Sequence, residues 1–91
     1  MYGNANVPGD MSKKAKRRAR ILAIPNDLRW DELSAFLVDL GYEVDEGNGS
    51  RTKFRHAELP LLSFHRPHNP PLVRQSAVRQ MVEKLREEGV L

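Results

Sequence analysis

Hydrophobic positions in this chain change their period along its length, and each change marks a new element. Trp30, Leu33, Phe36, Leu37 and Leu40 recur every three or four residues, which predicts one apolar stripe on a helix. Asp27 is the expected N-cap, and Asp31 and Glu32 sit in or near the first turn, where the helix dipole favours carboxylates. Gly41 ends the helix. The period then shortens to two. Tyr42 to Glu46 alternate, with Tyr42, Val44 and Glu46 on one face, and Gly47-Asn48-Gly49-Ser50 reads as a turn.

Two further alternating runs follow, residues 51–56 and 61–66, joined by a turn over 57–60. Thr52 and Phe54 share one face of the first run, and Arg51, Lys53 and Arg55 the other. In the second, Leu62 and Phe64 point one way, Ser63 and His65 the other. Pro67, Pro70 and Pro71 then enforce a stiff loop. From about Arg74 to Glu88 the helical period returns through Val78, Met81, Val82 and Leu85; Gly89 stops it, and Val90 and Leu91 fold back on the core. A weaker basic helix is expected over 12–23, ended by Pro25. Residues 1–11 read as a tail, disordered or a cloning remnant, ahead of a single domain over 12–91. The fold class is therefore α+β: a three-stranded antiparallel sheet with helices on one face, ordered α-β-β-β-α behind a short N-terminal helix.

Ninety-one residues suffice for one modest core. No run approaches the ~20 apolar residues of a membrane span, and no signal-peptide h-region is visible, so a cytoplasmic location is expected. With no cysteine and no carboxylate at ligand spacing from the histidines, neither a metal nor another cofactor is expected. Charge is segregated. Residues 1–24 hold six Lys/Arg against one acid, 25–48 one against seven, and 49–91 eight against four. Such separation gives a polyanion a preferred side of approach.

With Phe54 and Phe64 turned inward, Arg51, Lys53, Arg55 and His65 come together on the solvent side of the sheet. Three like charges at adjacent same-face positions repel unless an anion relieves them, and a phosphodiester is such an anion. RNA cleavage through the 2′-hydroxyl requires a base, an acid and cations for the phosphorane, which imidazole and guanidinium groups supply. His65 is the first candidate for proton transfer and His68 the second; alternatively, both simply order the strand-to-helix connection. Arg51 either clamps the scissile phosphate or holds RNA backbone. Ser50, Lys53, Arg55, Arg66 and Arg74 complete the candidate RNA-binding set, Arg74 having solvated helix charge as its other reading. His56 is read as structural.

Asp27-Leu28-Arg29-Trp30-Asp31-Glu32-Leu33 with Leu40-Gly41-Tyr42, Gly49-Ser50-Arg51-Thr52-Lys53-Phe54, and Phe64-His65-Arg66-Pro67-His68 together resemble HicA-type toxins. Val78-Arg79 and Leu85-Arg86-Glu87-Glu88-Gly89 look like that family's closing helix. The resemblance extends over about residues 12–91. It implies a fold similar to double-stranded-RNA-binding domains, a ribonuclease toxin acting on mRNA, and neutralisation by a HicB-type antitoxin. The better-known members carry their catalytic histidine directly after Gly-Ser. Arg51 stands there in this chain, so that assignment is not carried over, and the sequence resembles a Gly-Ser-Arg subgroup with His-Arg-Pro-His downstream. Two rival readings remain: a non-catalytic RNA-binding module on the same fold, and a domain whose cationic face docks an acidic protein.

Overall fold

The computed structural model describes residues 12–47 and 51–91; the expected tail over 1–11 and the turn residues 48–50 lie outside them. The Ser12 hydroxyl accepts the Ala15 N–H at 3.1 Å and so caps helix α1, Lys13–Leu22. This basic helix is moored to the rest of the chain at several points. Ile21 is fully buried, Arg17 pairs with Asp39 at 2.7 Å, and Arg20 reaches both Asp27 and Glu32. Ile24 then turns the chain with φ +54°, an uncommon conformation for a β-branched residue. Its carbonyl accepts a hydrogen bond from the Gln75 side chain at 2.8 Å, which braces the turn.

Helix α2 runs Trp30–Asp39 with Arg29 at its N-cap, so Asp27 does not cap it as the sequence predicts. The reason is long-range: the Asp27 carboxylate serves Arg20, while Glu32 accepts the Arg29 N–H at 2.9 Å and closes the helix end from within. The hydrogen bond from Arg20 holds the Glu32 carboxyl below its usual range. Partial burial opposes that shift and the Arg29 N–H adds to it. At the other end Gly41 takes φ +101°, and the Tyr42 N–H reaches back to the Leu37 carbonyl at 3.0 Å.

Strands β1 (Glu43–Asp45), β2 (Arg51–Arg55) and β3 (Leu62–His65) form one antiparallel sheet in that order. Each is shorter than its alternating run, with Tyr42, Glu46, His56, Leu61 and Arg66 falling just outside. Val44 pairs with Phe54, Thr52 with Phe64, and Phe54 with Leu62. This puts the buried Thr52, Phe54, Leu62 and Phe64 in one layer, with Val44 on the same face but exposed at the sheet's edge. Helix α3, Gln75–Glu87, buries Val78, Met81, Val82 and Leu85. These meet Leu33, Phe36 and Leu37 of α2 and Phe54, Leu62 and Phe64 of the sheet in one core. Trp30, Phe54 and Phe64 form its aromatic centre, with ring centroids 5.8 to 6.2 Å apart and tilted or edge-on geometry. Val90 and Leu91 pack back onto this core beyond Gly89. The architecture is the α+β arrangement that the periodicity predicts, with α1 packed against α2 and α3.

His56 pins the turn between β2 and β3 to the end of α2. Its Nδ1 accepts the N–H groups of Glu58 and Leu59 at 3.0 and 3.2 Å, so Nε2 carries the proton donated to the Leu40 carbonyl at 3.1 Å. The Tyr42 ring lies edge-on to the imidazole at 5.0 Å, and its hydroxyl donates to the Pro60 carbonyl at 2.8 Å. Burial, with a contribution from the Glu88 charge, pushes the Tyr42 phenol up from its ordinary value.

Candidate nucleic-acid interface

Alternation along β2 and β3 decides which side chains reach solvent. Thr52, Phe54, Leu62 and Phe64 are buried, and Arg51, Lys53, Arg55, Ser63 and His65 are exposed on the opposite face. The register fixes neighbours on that face. Arg51 stands directly opposite His65, and Lys53 opposite Ser63. The Arg51 guanidinium does not project at random, because its Nε donates to the Ser63 hydroxyl at 3.1 Å.

The open face also carries acids that strand-by-strand reading leaves uncounted. Glu43 pairs with Arg55 and Asp45 with Lys53 across β1 and β2, and Arg55 Nε donates to Asp45 Oδ2 at 3.2 Å. Two carboxylates thus offset the cations on the β1 side. Positive character concentrates at the opposite corner, where Arg51 meets His65. The signal for this was present in the alternation of Glu43 and Asp45, but only the pairing register tells which cations they reach.

That corner opens into a cleft of about 680 Å³ between β3, the proline-rich loop and the start of α3. Arg51, Ser63, His65, His68, Asn69 and Arg74 contribute to its lining. His68 and Arg74 therefore join Arg51 and His65, although 23 positions separate Arg51 from Arg74 in the numbering of the chain. The loop holds this position through the backbone. The Trp30 N–H donates to the Pro71 carbonyl at 2.9 Å, the Val73 N–H to the Leu28 carbonyl at 2.8 Å, and the Leu72 N–H to the Pro70 carbonyl at 2.9 Å. Val73 is buried beneath it. His68 is thus presented by a stitched loop, not by one that must swing into place.

The other candidates are distributed differently. Ser50 lies outside the described residues. Arg66 follows the parity of Leu62 and Phe64, so it lies on the helix side of the sheet. There its guanidinium stands 5.8 Å from the Trp30 ring centroid and Nη1 donates to Glu46 Oε1 at 2.8 Å. It takes no part in the cleft lining. Ser63 and Asn69 are the polar cleft residues that sequence reasoning did not nominate. Ser63 was detectable as a same-face neighbour of Lys53, whereas Asn69 becomes visible only once the loop is folded. Among the described residues no helix is long and apolar enough to cross a membrane.

Comparison with known proteins agrees with this architecture at family level. A family model described as the HicA toxin of bacterial toxin–antitoxin systems matches residues 30–88, from the first turn of α2 to the end of α3. Helix α1 lies outside the match. No curated protein and no solved structure matches the chain. A match over well more than half of the chain, on the elements that build the sheet and the cleft, assigns it: the protein belongs to the HicA toxins of bacterial toxin–antitoxin systems.

Proposed function

We propose that this chain is an endoribonuclease toxin that cleaves mRNA in the Arg51–His65 cleft and is neutralised by a HicB-like antitoxin. The supporting observation is the cross-strand pairing of Arg51 with His65 at the mouth of a cleft that His68 and Arg74 also line. Two imidazoles and two guanidinium groups around one concave site match the requirements of phosphodiester transesterification.

In this reading the neutral His65 takes the proton of a ribose 2′-hydroxyl. The 2′-oxygen attacks the adjacent phosphorus, and the bond from phosphorus to the 5′-oxygen breaks. His68, entering as the imidazolium, returns a proton to that leaving oxygen. The products are a 2′,3′-cyclic phosphate and a 5′-hydroxyl, and all protons are accounted for by the two histidines. Arg51 and Arg74 offset the charge that builds on the phosphorane oxygens. Lys53 and Arg55 hold flanking phosphates across the sheet, and Ser50, which precedes Arg51 in the sequence, is a further phosphate ligand.

Single-turnover cleavage at saturating RNA separates binding from chemistry for the residue that stands where better-known relatives have histidine. Arg51→Ala is expected to lower the cleavage rate by about 10²-fold or more once all RNA is bound, as for loss of one oxyanion donor. An unchanged rate with weaker binding would make Arg51 a backbone-binding residue only. Binding without any cleavage by the unmodified chain would turn the molecule into an RNA-binding module on this fold.

A further inference from the structure

The sheet has two edges, and they are built differently. β1 is three residues long and carries Glu43 and Asp45, the charged and short design that discourages further pairing. β3 has the sequence Leu-Ser-Phe-His, and Leu61 just before it is 48% exposed. Pro60 and Pro67 bracket it, which confines further pairing to residues 61–66. Along Leu61–Phe64 the outer edge receives no backbone hydrogen bond from any other described residue.

Beside this edge lies a groove of about 360 Å³ between β3 and α3. Its floor includes Leu62, Phe64, Ala77 and Met81, and it shares Ser63, Phe64 and Ala77 with the Arg51–His65 cleft. The small side chain at Ala77 leaves room for the inward residues of an added strand. Groove and cleft differ in charge. Arg51 and Arg74 line the adjoining cleft at the His65 end, while Glu83, Lys84 and Glu87 line the groove itself and leave it net negative.

We propose that the open edge of β3 accepts an extended strand of the toxin's protein partner as a fourth, antiparallel strand of the sheet. That strand is acidic where it passes Arg51 and Arg74, and basic where it passes Glu83 and Glu87. Main-chain hydrogen bonds supply its affinity, and the charge order sets its direction. A strand so placed also obstructs the adjoining RNA cleft. The inference rests on the reading of the chain as a toxin held by a protein, but its test does not pass through RNA cleavage.

The probe is a pair of synthetic peptides with an alternating Thr-Val centre, one with Asp-Asp first and Lys-Lys last, the other in reversed order. Amide hydrogen exchange on the full chain reads the contact. The acid-first peptide is expected to slow exchange at Leu62–Phe64 and to bind about tenfold tighter than its reverse, the scale of a few exposed ion pairs. The exposed-site variant E83K/E87K is expected to lose that preference. The proposal is overturned if neither peptide protects these amides, or if the reversed peptide binds tighter. It is equally overturned if an RNA oligonucleotide protects them in place of peptide, or if the chain sediments as a dimer that Leu61→Lys dissociates. Any of these results leaves the ribonuclease reading to be judged separately, by cleavage.

Discussion

Arg51 and His65 stand directly opposite each other at the open corner of the β2–β3 pair, with the Arg51 guanidinium tied to Ser63 two pairs along on the same face. This relationship joins a fixed cation to a titratable ring without placing either on a flexible loop. The same corner is where the charge of the open face is least offset by Glu43 and Asp45. A polyanion that settles there has its backbone within reach of His68 and Arg74 as well.

The two sides of the sheet predict different salt dependences. Arg51 and Lys53 face outward, so Arg51→Ala and Lys53→Ala should each lower the slope of log affinity against log salt by roughly 0.7 on single-stranded RNA. Arg66 points to the helix side and serves Trp30 and Glu46. Arg66→Ala should leave the slope unchanged while lowering the denaturation midpoint. Fluorescence anisotropy titrations at several salt concentrations decide the matter, and an equal slope change at Arg66 would contradict the side assignment.

Gly41 and His56 form a second testable pair. Gly41 has φ +101°, and a Cβ at that position would come 3.0 Å from His56 Nε2. Gly41→Ala therefore adds backbone strain to a clash with the ring that pins the β2–β3 turn. Gly89, with φ +81° and nothing within 4 Å, carries the backbone cost alone. Urea denaturation should find Gly41→Ala the more damaging of the two, with Gly89→Ala costing about 1 kcal/mol. Equal losses would show that the ring adjusts without penalty.

Glu32 links acid stability to the mooring of α1. Its carboxyl is held below its usual range chiefly by Arg20, so its folded pKa lies under the unfolded one. The stability it contributes is present above the unfolded value of 4.5 and is lost as pH falls from there through the folded pKa. Glu32→Gln should lower stability at neutral pH and flatten the acid limb of the stability curve below that value. Denaturant midpoints measured from pH 3 to 7 test this, and an undiminished acid limb in the variant would assign the pH dependence to other carboxylates.

Much of the fold was legible because its signals are local. The stripe of Trp30, Leu33, Phe36 and Leu37 and the alternation of Thr52, Phe54, Leu62 and Phe64 map directly onto the buried positions. The start of α2 was not legible, because the competitor for Asp27 is Arg20 of another helix. The site divides in the same way. Alternation alone brings Arg51, Lys53, Arg55 and His65 to one face. The arrival of His68 and Arg74 depends on the loop being sewn to Leu28 and Trp30, a long-range pairing with no local pattern to announce it. Arg66, a member of the candidate RNA-binding set, shares the parity of Leu62 and Phe64 and stands on the helix side beside Trp30 and Glu46. That placement shows only once the parity is carried past the strand end.

The most direct test of the central claim compares RNA cleavage by the purified chain and by His65→Ala in the presence of EDTA, with matching circular dichroism for the two. The account predicts that the unmodified chain cleaves RNA to 2′,3′-cyclic phosphate ends and that His65→Ala loses about 10²-fold or more of that activity. Equal cleavage by both proteins, or products ending in a 3′-hydroxyl, would contradict it.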